Sequence, residues 1–569
     1  MLSSTTQALP ADLFGLSDVA RAAIAAGPTF GPIPLPRRMD EVPRPEEHLG
    51  AEERGILADS IARGFEKAGL KLAPEAAASL DALRVEGTFC VVTGQQPGFL
   101  ASPLYSLYKA LQACRAASEL SEQWGTPVVP VFWNHADDHD VAEVHHAWQL
   151  NRNLDLQKVA LAGLSSGRVP LGELAVTEEN QRLGAVRAQL QNIVEEHKGA
   201  EAALDLFMPK DGETLPRALS RIFGELCGRF GLVVVEPDWI RAQLSSEMGR
   251  IVSGPSSSAA GGPSLVAALR AGEAELEALG LKAAIGIGST DDDAGAAAAI
   301  AYRHVQSDAG PAERVALRAG GEGLRMDGEP GSRTHAELGA QIVGSPGEWS
   351  AGALLRPIVQ DAVFPTCAYV GGYGELGYHA QLGPARDAAG QPRTPFLARV
   401  SLSIVDDDTR YALGRVEASV EEVLRAKGEF KPADDDSAEP EVIAALREIG
   451  ADAARRLVEH KGALAELEPA LAVTIKKTAG HVEQSIGKVI DKALRVHQNR
   501  SGKGARQVRR VNSTLVPRNV PQERVLGPFQ FMARYGAAFV DALREEIPSV
   551  SFEHIVLHLE SEEPEGSHD

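Results

Sequence analysis

Two stretches decide the fold: TFCVVTGQQPGFLASPLYSLYKALQ, from Thr88 to Gln112, and PVVPVFWNHADDHD, from Pro127 to Asp140. In the first, an apolar strand ends in a glycine-rich polar loop that leads into a helix. In the second, an apolar strand ends in a cluster of acids and histidines. An open α/β sheet builds its ligand site where neighbouring parallel strands end in such groups. The pattern therefore predicts an enzyme, with both strand ends lining a single crevice.

The loop TGQQPG after the first strand is typical of an anion-binding turn. Glycine permits a tight turn, and the helix that follows presents free N–H groups to a phosphate or a carboxylate. We expect Ser102 to cap that helix and Pro103 to occupy its first turn. A plain strand-to-helix turn is the competing interpretation. The residues assigned here to substrate or nucleotide binding are Thr93, Gly94, Gln95, Gln96, Ser102 and Tyr105.

The cluster NHADDHD at the end of the second strand has three interpretations. As metal ligands, His135, His139 and Asp137 would suit zinc or manganese. As acid–base groups, His139 with Asp138 and Asp140 would move protons near neutral pH. As structural residues, the acids would cap the next helix. The density of reactive groups favours the functional interpretations, and the residues assigned to catalysis are His139, Asp140, Asp138 and Lys109.

A third block, VGGYGELG from Val370 to Gly377, also follows an apolar strand. It contains the GxGxxG spacing, which alone is a weak dinucleotide signal, and we interpret it as a turn that a ligand or another backbone approaches closely. Upstream, the apolar run LLRPIVQDAVFPT carries polar groups that need partners when buried, so a site role competes evenly with a buried salt bridge. The residues assigned to the site from these blocks are Arg356, Gln360, Asp361, Tyr369, Gly371, Gly372 and Glu375.

Composition restricts the class of protein. A chain of 569 residues is too long for one core and predicts more than one domain. Its net charge of −21 argues against binding to nucleic acid or to an anionic membrane surface. Four dispersed cysteines form neither a disulfide framework nor a zinc knuckle, and no apolar run is long enough to span a bilayer. We therefore expect a cytoplasmic protein without a nucleic-acid or membrane partner.

The chain changes character after residue 408. Apolar residues such as Val482, Ile486 and Val489 recur at steps of four and three, which predicts a coiled coil, most simply a helical hairpin. Breaks or turns are expected at Gly450, Gly462 and Gly480, and an ordinary helical subdomain is the alternative. The predicted organisation is a core over residues 1–408, with a largely helical start and insertions at about 151–350, then a helical coiled-coil domain over 409–510 and a segment over 511–569 that returns to the core.

Taken together, these blocks resemble the bacillithiol-biosynthesis cysteine ligase family, often called BshC. The resemblance rests on TGQQPG with SPLYSLYK, on PVFWNHADDHD, on LRPIVQDAVFPT with GGYGEL, and on NSTLVPRNVPQERV near the end. It implies an α/β fold with a Rossmann-like parallel-sheet core that carries insertions and resembles class I aminoacyl-tRNA synthetases, plus an α-helical coiled-coil domain. It also implies a homodimer and a reaction that joins L-cysteine to the amino sugar of glucosaminyl-malate.

Forming an amide from a carboxylate and an amine in water is uphill, so the carboxylate must be activated. With ATP as co-substrate, accompanied by Mg²⁺, cysteine would become an acyl-adenylate that the sugar amine attacks; ADP or another nucleotide is a further candidate ligand. A base such as His139 or Asp140 would accept the proton of the amine, and Lys109 would stabilise phosphate charge. Two other functions stay open: a metal-dependent hydrolase that uses the cluster from His135 to Asp140, and a non-catalytic nucleotide-binding protein.

Overall fold

The structure, a computed structural model, describes residues 2–14, 16–31, 33–164, 167–254, 263–287, 298–307, 310–320, 323–432, 441–500 and 503–561. In these residues the strands are β1 (Leu2–Leu9), β2 (Thr29–Phe30), β3 (Ile33–Pro34), β4 (Phe89–Gln95), β5 (Val128–Asn134), β6 (His146–Leu150), β7 (Leu156–Ala160), β8 (Val233–Val235), β9 (Ala299–Ser307), β10 (Gly310–Gly320), β11 (Gly323–Met326), β12 (Trp349–Ala351), β13 (Thr366–Gly371), β14 (Phe396–Ala398), β15 (Ser401–Val405) and β16 (His554–Ser561).

The helices are α1 (Asp18–Ala25), α2 (Ala51–Lys67), α3 (Pro74–Ala82), α4 (Tyr105–Trp124), α5 (Val141–Val144), α6 (Glu178–Gln181), α7 (Leu183–Val194), α8 (Ala200–Phe207), α9 (Leu215–Cys227), α10 (Arg241–Ser253), α11 (Leu265–Ala278), α12 (His335–Gly344), α13 (Arg356–Val363), α14 (Tyr373–His379), α15 (Gly383–Ala388), α16 (Asp407–Arg415), α17 (Val420–Arg425), α18 (Glu441–Glu459), α19 (Lys461–Leu467), α20 (Pro469–Arg500), α21 (Lys503–Leu515), α22 (Phe529–Tyr535) and α23 (Ala537–Glu546). Among these helices, none combines the length and the apolarity that crossing a membrane demands.

A five-stranded sheet forms the centre of the fold, in the order β14–β13–β4–β5–β8. Every pairing in it is parallel, so all five strands end at the same edge. The strands are apolar runs, such as FCVV in β4 and VVV in β8, and they are buried along these runs. Strands of parallel sheets have such continuous apolar sequences because both faces of the sheet are covered. The predicted Rossmann-like parallel-sheet core is therefore confirmed.

Two expectations about the chain around this sheet are wrong. The start of the chain is not simply helical, because β1 pairs antiparallel with β16 from the far end of the chain, and β15 completes a three-stranded sheet. The middle region is not only insertion, because β8 pairs with β5 in the central sheet. The insertion proper includes a four-stranded sheet, in the order β11–β10–β9–β12, which lies between β8 and β13 in sequence.

The chain divides into two compact units. The first comprises Met1–Val405 and Val520–Asp569, and the second comprises Asp406–Asn519. The predicted boundaries at residues 408 and 510 fall close to these. In the first unit, residues from both ends of the chain share one small sheet, which explains why the C-terminal segment belongs with the N-terminal core.

The second unit contains the packed helices α18 and α20. The predicted breaks at Gly450 and Gly480 are wrong, because these glycines lie inside α18 and α20. The break predicted at Gly462 falls beside an actual one, since α18 ends at Glu459 and α19 begins at Lys461. A Cβ atom on Gly450 would come within 3.3 Å of Ile486, so the glycine lets the two helices approach closely. This packing outweighs the cost of about 1 kcal/mol that a glycine carries inside a helix. The helical domain predicted after residue 408 is confirmed.

We expect Gly450→Val to destabilise the second unit and Gly480→Val to leave it unchanged or slightly more stable. Valine is a better helix former than glycine at both positions, but a Cβ atom on Gly480 meets nothing within 4 Å. Overpacking against Ile486 is expected to cost about 1–3 kcal/mol of unfolding free energy. Urea denaturation followed by helical circular dichroism measures both variants, and equal stability would show that Gly450 is not a packing position.

Candidate active site

A cavity of about 670 Å³ opens at the carboxyl edge of the central sheet. Its lining includes residues at the ends of three strands: Gln95 at β4, His135 after β5 and Gly372 after β13. Since β13, β4 and β5 are neighbours in the sheet, their ends come together without long connecting loops. This is the place where open α/β sheets bind their ligands.

The two strand ends singled out in the sequence meet in this cavity. Gln96 Nε2, after β4, donates to Asp138 Oδ2, after β5, at 2.7 Å. The backbone N–H of His135 donates to the Gln95 carbonyl at 3.2 Å. The backbone pairing of β4 with β5 therefore continues one residue beyond the end of β5. A Cβ atom on Gly94 would lie 2.9 Å from His135 Nε2, so only glycine fits beside that ring. The predicted convergence of the two ends is confirmed.

The Lys109 ammonium, on α4, connects the end of β4 to the segment that follows β13. Its Nζ donates to the Gly94 carbonyl at 2.6 Å, to Gln95 Oε1 at 3.2 Å and to Glu375 Oε2 at 2.6 Å. The Lys109 side chain is only 1% exposed, and an ammonium has three N–H donors, so all three are engaged within the protein. We therefore assign Lys109 to positioning the site rather than to the direct phosphate contact predicted for it.

Glu375, on α14, is the counter-ion that makes this burial possible. Besides Lys109, it accepts the Tyr369 hydroxyl at 2.8 Å and the Gly372 N–H at 2.9 Å. Burial by itself would raise the pKa of the Glu375 carboxyl, but the charge of Lys109 and these hydrogen bonds hold the pKa below its usual value. Burial lowers the pKa of the Lys109 ammonium, whereas the charge and the hydrogen bond of Glu375 raise it, so each group stabilises the charged form of the other. Tyr369 supports the pair from outside the cavity lining.

The start of α4 differs from the prediction. The helix begins at Tyr105, and Ser102 does not cap it. Ser102 is buried outside the cavity lining, and its Oγ has no hydrogen-bond partner in the described residues. The N–H groups of Leu104, Ser106 and Leu107 all donate to backbone carbonyls. The helix terminus therefore does not offer the predicted anion site, although the Tyr105 side chain lines the cavity.

Two members of the acidic cluster have structural roles. Asp137 forms two hydrogen bonds with Arg241, one of them 2.8 Å long, so both carboxylate oxygens are occupied. Asp140 lies outside the cavity lining, and its side chain accepts the Glu143 N–H at 3.3 Å, which caps α5. The structural interpretation of the acids thus describes Asp140, and we no longer assign catalysis to it.

Asp138 and His139 both line the cavity, and both have side chains that can accept or donate a proton. Asp138 accepts the Gln96 amide through Oδ2 and the His139 N–H through Oδ1, at 2.7 Å each. His139 Nδ1 lies 2.9 Å from Arg314 Nη1. Burial and the Arg314 charge lower the pKa of His139, against the opposing effect of Asp138. The cavity therefore holds a neutral imidazole beside a carboxylate.

The metal interpretation of the cluster is wrong for the described residues, in which no three histidine, cysteine or acidic side chains gather as a ligand set. Both oxygens of Asp137 are taken by Arg241, and His139 Nδ1 is taken by Arg314. His135 is buried beside the end of β4, and its burial lowers its pKa well below the usual value. The three proposed ligands, His135, His139 and Asp137, thus have separate environments.

The residues predicted from the third sequence block also divide into some that line the cavity and some that do not. Arg356, at the start of α13, lines the cavity and donates to Gln360 Oε1 at 3.1 Å and to the Tyr378 hydroxyl at 3.0 Å. Asp361 instead pairs with Arg386 at 2.7 Å, away from the cavity, so the buried-salt-bridge interpretation describes it. The other predicted site residues that lie outside the cavity lining are Thr93, Gly94, Gln360 and Gly371.

Three arginines that line the cavity were missed by the sequence analysis: Arg241, Arg314 and Arg399. Arg524 also lines the cavity. Arg399 pairs with Glu523 at 2.6 Å, and a charge inside the apolar run FLARVSLSIV was the available signal, because buried charges need partners. Arg241 and Arg314 carry no such signal, since their partners lie 104 and 175 residues away in the chain.

The fold and the cavity define a Rossmann-like α/β protein with a separate helical unit. Family models match almost the whole chain: "Bacillithiol biosynthesis BshC, N-terminal Rossmann-like domain" over residues 38–400, and "Bacillithiol biosynthesis BshC, C-terminal coiled-coil domain" over residues 404–559. The chain belongs to the BshC family.

Curated relatives agree with this assignment, and each carries the name "Putative cysteine ligase BshC". The relative from Koribacter versatilis is 27% identical over 478 residues, which are 83% of this chain and 84% of the relative. The relative from Salinibacter ruber is 25% identical over 538 residues, 89% of each chain. The relative from Carboxydothermus hydrogenoformans is 27% identical over 498 residues, 85% of this chain and 86% of the relative.

We expect Lys109→Met and Glu375→Gln each to cost about 3–5 kcal/mol of unfolding free energy, because each leaves a buried charge without its partner. The double variant removes both charges, so its loss should be clearly smaller than the sum of the two. Urea denaturation of the four proteins provides the double-mutant cycle. Additive losses would show that the two side chains do not stabilise one another.

Proposed function

We propose that this protein is an ATP-dependent ligase that adds L-cysteine to glucosaminyl-malate in bacillithiol biosynthesis. The names of its relatives supply the reaction class. The observation that carries the proposal to this chain is the cavity at the strand ends, which holds a carboxylate, a neutral imidazole and several guanidinium groups. These are the groups that an amide-forming step between anionic reactants requires.

The proposed chemistry has two steps. The cysteine carboxylate attacks the α-phosphorus of ATP, which forms cysteinyl-adenylate and releases pyrophosphate; Mg²⁺ would accompany the nucleotide. The amine of the sugar then attacks the acyl carbon, the amide bond forms and AMP leaves. The attacking nitrogen loses one proton, so a base must stand near it.

Asp138 is the proposed acceptor of that proton. It lines the cavity, whereas Asp140, two residues later, caps α5 instead. Its Oδ2 is oriented by Gln96, from the neighbouring strand end. A carboxylate held by an amide in a partly buried cavity is suited to take a proton from an amine as the amide bond forms.

Arg356 is the proposed anchor for an anionic substrate group. It lines the cavity, and it donates hydrogen bonds to the neutral side chains of Gln360 and Tyr378. Its charge is therefore available to a carboxylate or a phosphate, which a guanidinium recognises with paired donors. Lys109 and Arg399, by contrast, already face the carboxylates of Glu375 and Glu523.

Mass spectrometry of the purified protein incubated with ATP, Mg²⁺, cysteine and glucosaminyl-malate tests the proposal. We expect the mass of bacillithiol, with AMP as the nucleotide product and no product when ATP is omitted. Release of ADP instead would overturn the adenylate step. Nucleotide binding without any coupled product would favour the alternative of a non-catalytic binding protein.

Two matched variants test the role of Asp138 in the same assay. Asp138→Asn should lower kcat about 10²- to 10⁴-fold, the usual contribution of a positioned base. Asp140→Asn should stay within a few-fold of the unaltered protein, because asparagine caps a helix as well as aspartate does. Equal activity of the two variants would remove Asp138 from the mechanism.

The resemblance also supports the proposal that two copies of the chain associate. Light scattering of the purified protein should then give twice the chain mass at micromolar concentration. A monomer mass would contradict the proposed homodimer, and it would leave the proposed reaction unaffected.

A further inference from the structure

Ion pairs within the protein neutralise many of the charged groups around the cavity. Residues of its lining form the pairs of Lys109 with Glu375, Arg241 with Asp137 and Arg399 with Glu523. Two other lining residues, Glu143 and Arg524, are opposite in charge. Neither side chain has a hydrogen-bond or ion-pair partner within the described part of the chain. A ligand that carries both charges would supply a partner to each.

The backbone around Arg524 is fixed beside the cavity. The side chain of Gln522 accepts the Ile404 N–H at 2.7 Å and donates to the Ile404 carbonyl at 3.0 Å. The carboxylate of Glu523 accepts the Leu402 N–H at 2.7 Å. Gln522 and Glu523 are buried, whereas Arg524, the next residue, is exposed. These contacts attach the segment to β15, so Arg524 has a fixed starting point although its side chain is exposed.

Glu143 belongs to α5, the short helix after the cluster that follows β5. Val141 and Val144 on this helix are buried, and the Glu143 N–H donates to Asp140 Oδ1 at 3.3 Å. The Glu143 residue itself is exposed and lines the cavity. Burial of the two valines therefore holds the backbone of Glu143 in place, as the contacts with β15 do for Arg524.

The hydroxyl of Tyr105, which lines the cavity, locates both charges. Burial raises the pKa of Tyr105, the charge of Arg524 lowers it, and the charge of Glu143 raises it further. Both charged groups therefore lie within electrostatic reach of one hydroxyl, but no ion pair joins these two described residues. Arg399 is also close to Tyr105, with its Cζ 5.1 Å from the ring centre, but Glu523 already neutralises it.

A free α-amino acid matches this arrangement, because it carries an ammonium and a carboxylate at neutral pH. A nucleotide phosphate would pair with Arg524 but would be repelled by Glu143. We propose that Glu143 and Arg524 form the amino-acid subsite of the cavity, in which Glu143 binds the ammonium of cysteine and Arg524 binds its carboxylate. The inference rests on the proposed ligase function and deepens it, since it assigns the place where one substrate binds.

Each contact has a consequence for the proposed reaction. A carboxylate beside an ammonium favours the protonated form of the amine, and a protonated amine has no lone pair with which to attack. Glu143 thus keeps the amine of cysteine unreactive while the carboxyl group is activated, which leaves the sugar amine as the nucleophile. Arg524 offsets the repulsion between the cysteine carboxylate and the triphosphate of ATP, which must approach one another in the first step.

Binding of cysteine and of two analogues tests the subsite without turnover. Cysteamine lacks the carboxylate, and 3-mercaptopropionate lacks the ammonium. Isothermal titration calorimetry is done with α,β-methylene-ATP present, which blocks adenylate formation. We expect cysteine to bind at least about 10-fold more tightly than either analogue, because each loses one charge-assisted hydrogen bond. Equal affinities, or no binding of cysteine up to about 10 mM, above the usual range of KM, would overturn the proposal.

Two variants assign each charge to its residue. Arg524→Gln should lower the affinity for cysteine at least about 10-fold, whereas cysteamine, which has no carboxylate, should bind as well as before or better. Glu143→Gln should weaken cysteine by a similar factor and leave 3-mercaptopropionate unchanged or tighter. A variant that weakens cysteine and its matching analogue equally would contradict the assigned contact.

Arg152→Gln is the matched control, because it removes the same charge from an exposed residue outside the cavity lining. It should leave all three affinities unchanged, and a loss equal to that of Arg524→Gln would contradict the subsite. Glu143 and Arg524 are exposed, so their variants should keep the urea midpoint of the unaltered protein. If Arg524→Gln weakens the ATP analogue and not cysteine, Arg524 binds the nucleotide and the proposal is overturned.

The outcomes separate this inference from the proposed function. If the protein binds cysteine with the expected discrimination but forms no product, the ligase proposal fails and the amino-acid subsite stands. If it forms product while both variants keep the affinities of the unaltered protein, the subsite is overturned and the ligase proposal stands.

Discussion

The arrangement of the site depends on one buried ammonium, that of Lys109. A buried lysine is tolerated only when acceptors surround it, and here these acceptors belong to the ends of two adjacent strands. Gly94 and Gln95 end β4, and Glu375 follows β13. The requirement to satisfy one charge thus fixes the relative positions of the first and third sequence blocks. It also explains why the glycine-rich turn after β13 approaches the glutamine loop.

The parallel sheet supplies the second constraint. Because β4 and β5 run in register up to Gln95 and Asn134, the next residues of both strands must emerge side by side. The hydrogen bond from Gln96 to Asp138 follows from that register. The inserted sheet then closes the cavity from another side, and it delivers Arg314 and Tyr302 to His139. The core places the reactive groups, whereas the insertion brings a cation and an aromatic ring against one of them.

The sequence predicted the parts of the fold that depend on local patterns. Apolar runs that end in polar loops identified β4, β5 and β13, and the change of composition after residue 408 identified the helical unit. Gly450 shows where local reasoning fails, because a glycine that permits close helix packing looks the same in sequence as one that breaks a helix. The prediction that Ser102 caps α4 is wrong for a similar reason, because this residue is buried three positions before the helix begins.

The site was predictable in outline but not in its roles. Spacing alone could not separate Asp138, which lines the cavity, from Asp140, which caps a helix. The arginines that contact Asp137 and His139 lie on elements far away in the sequence, so no pattern near the cluster predicts them. Charge pairing across a fold is a property of its topology, and it becomes visible only when the strands and the insertion are placed.

A crystal structure of the protein with glucosaminyl-malate and cysteine tests the central claim most directly. The account predicts both molecules in the cavity at the ends of β4, β5 and β13, with the sugar amine near Asp138 and an anionic group against Arg356. Electron density for either molecule at a different surface, with this cavity holding only solvent, would contradict it.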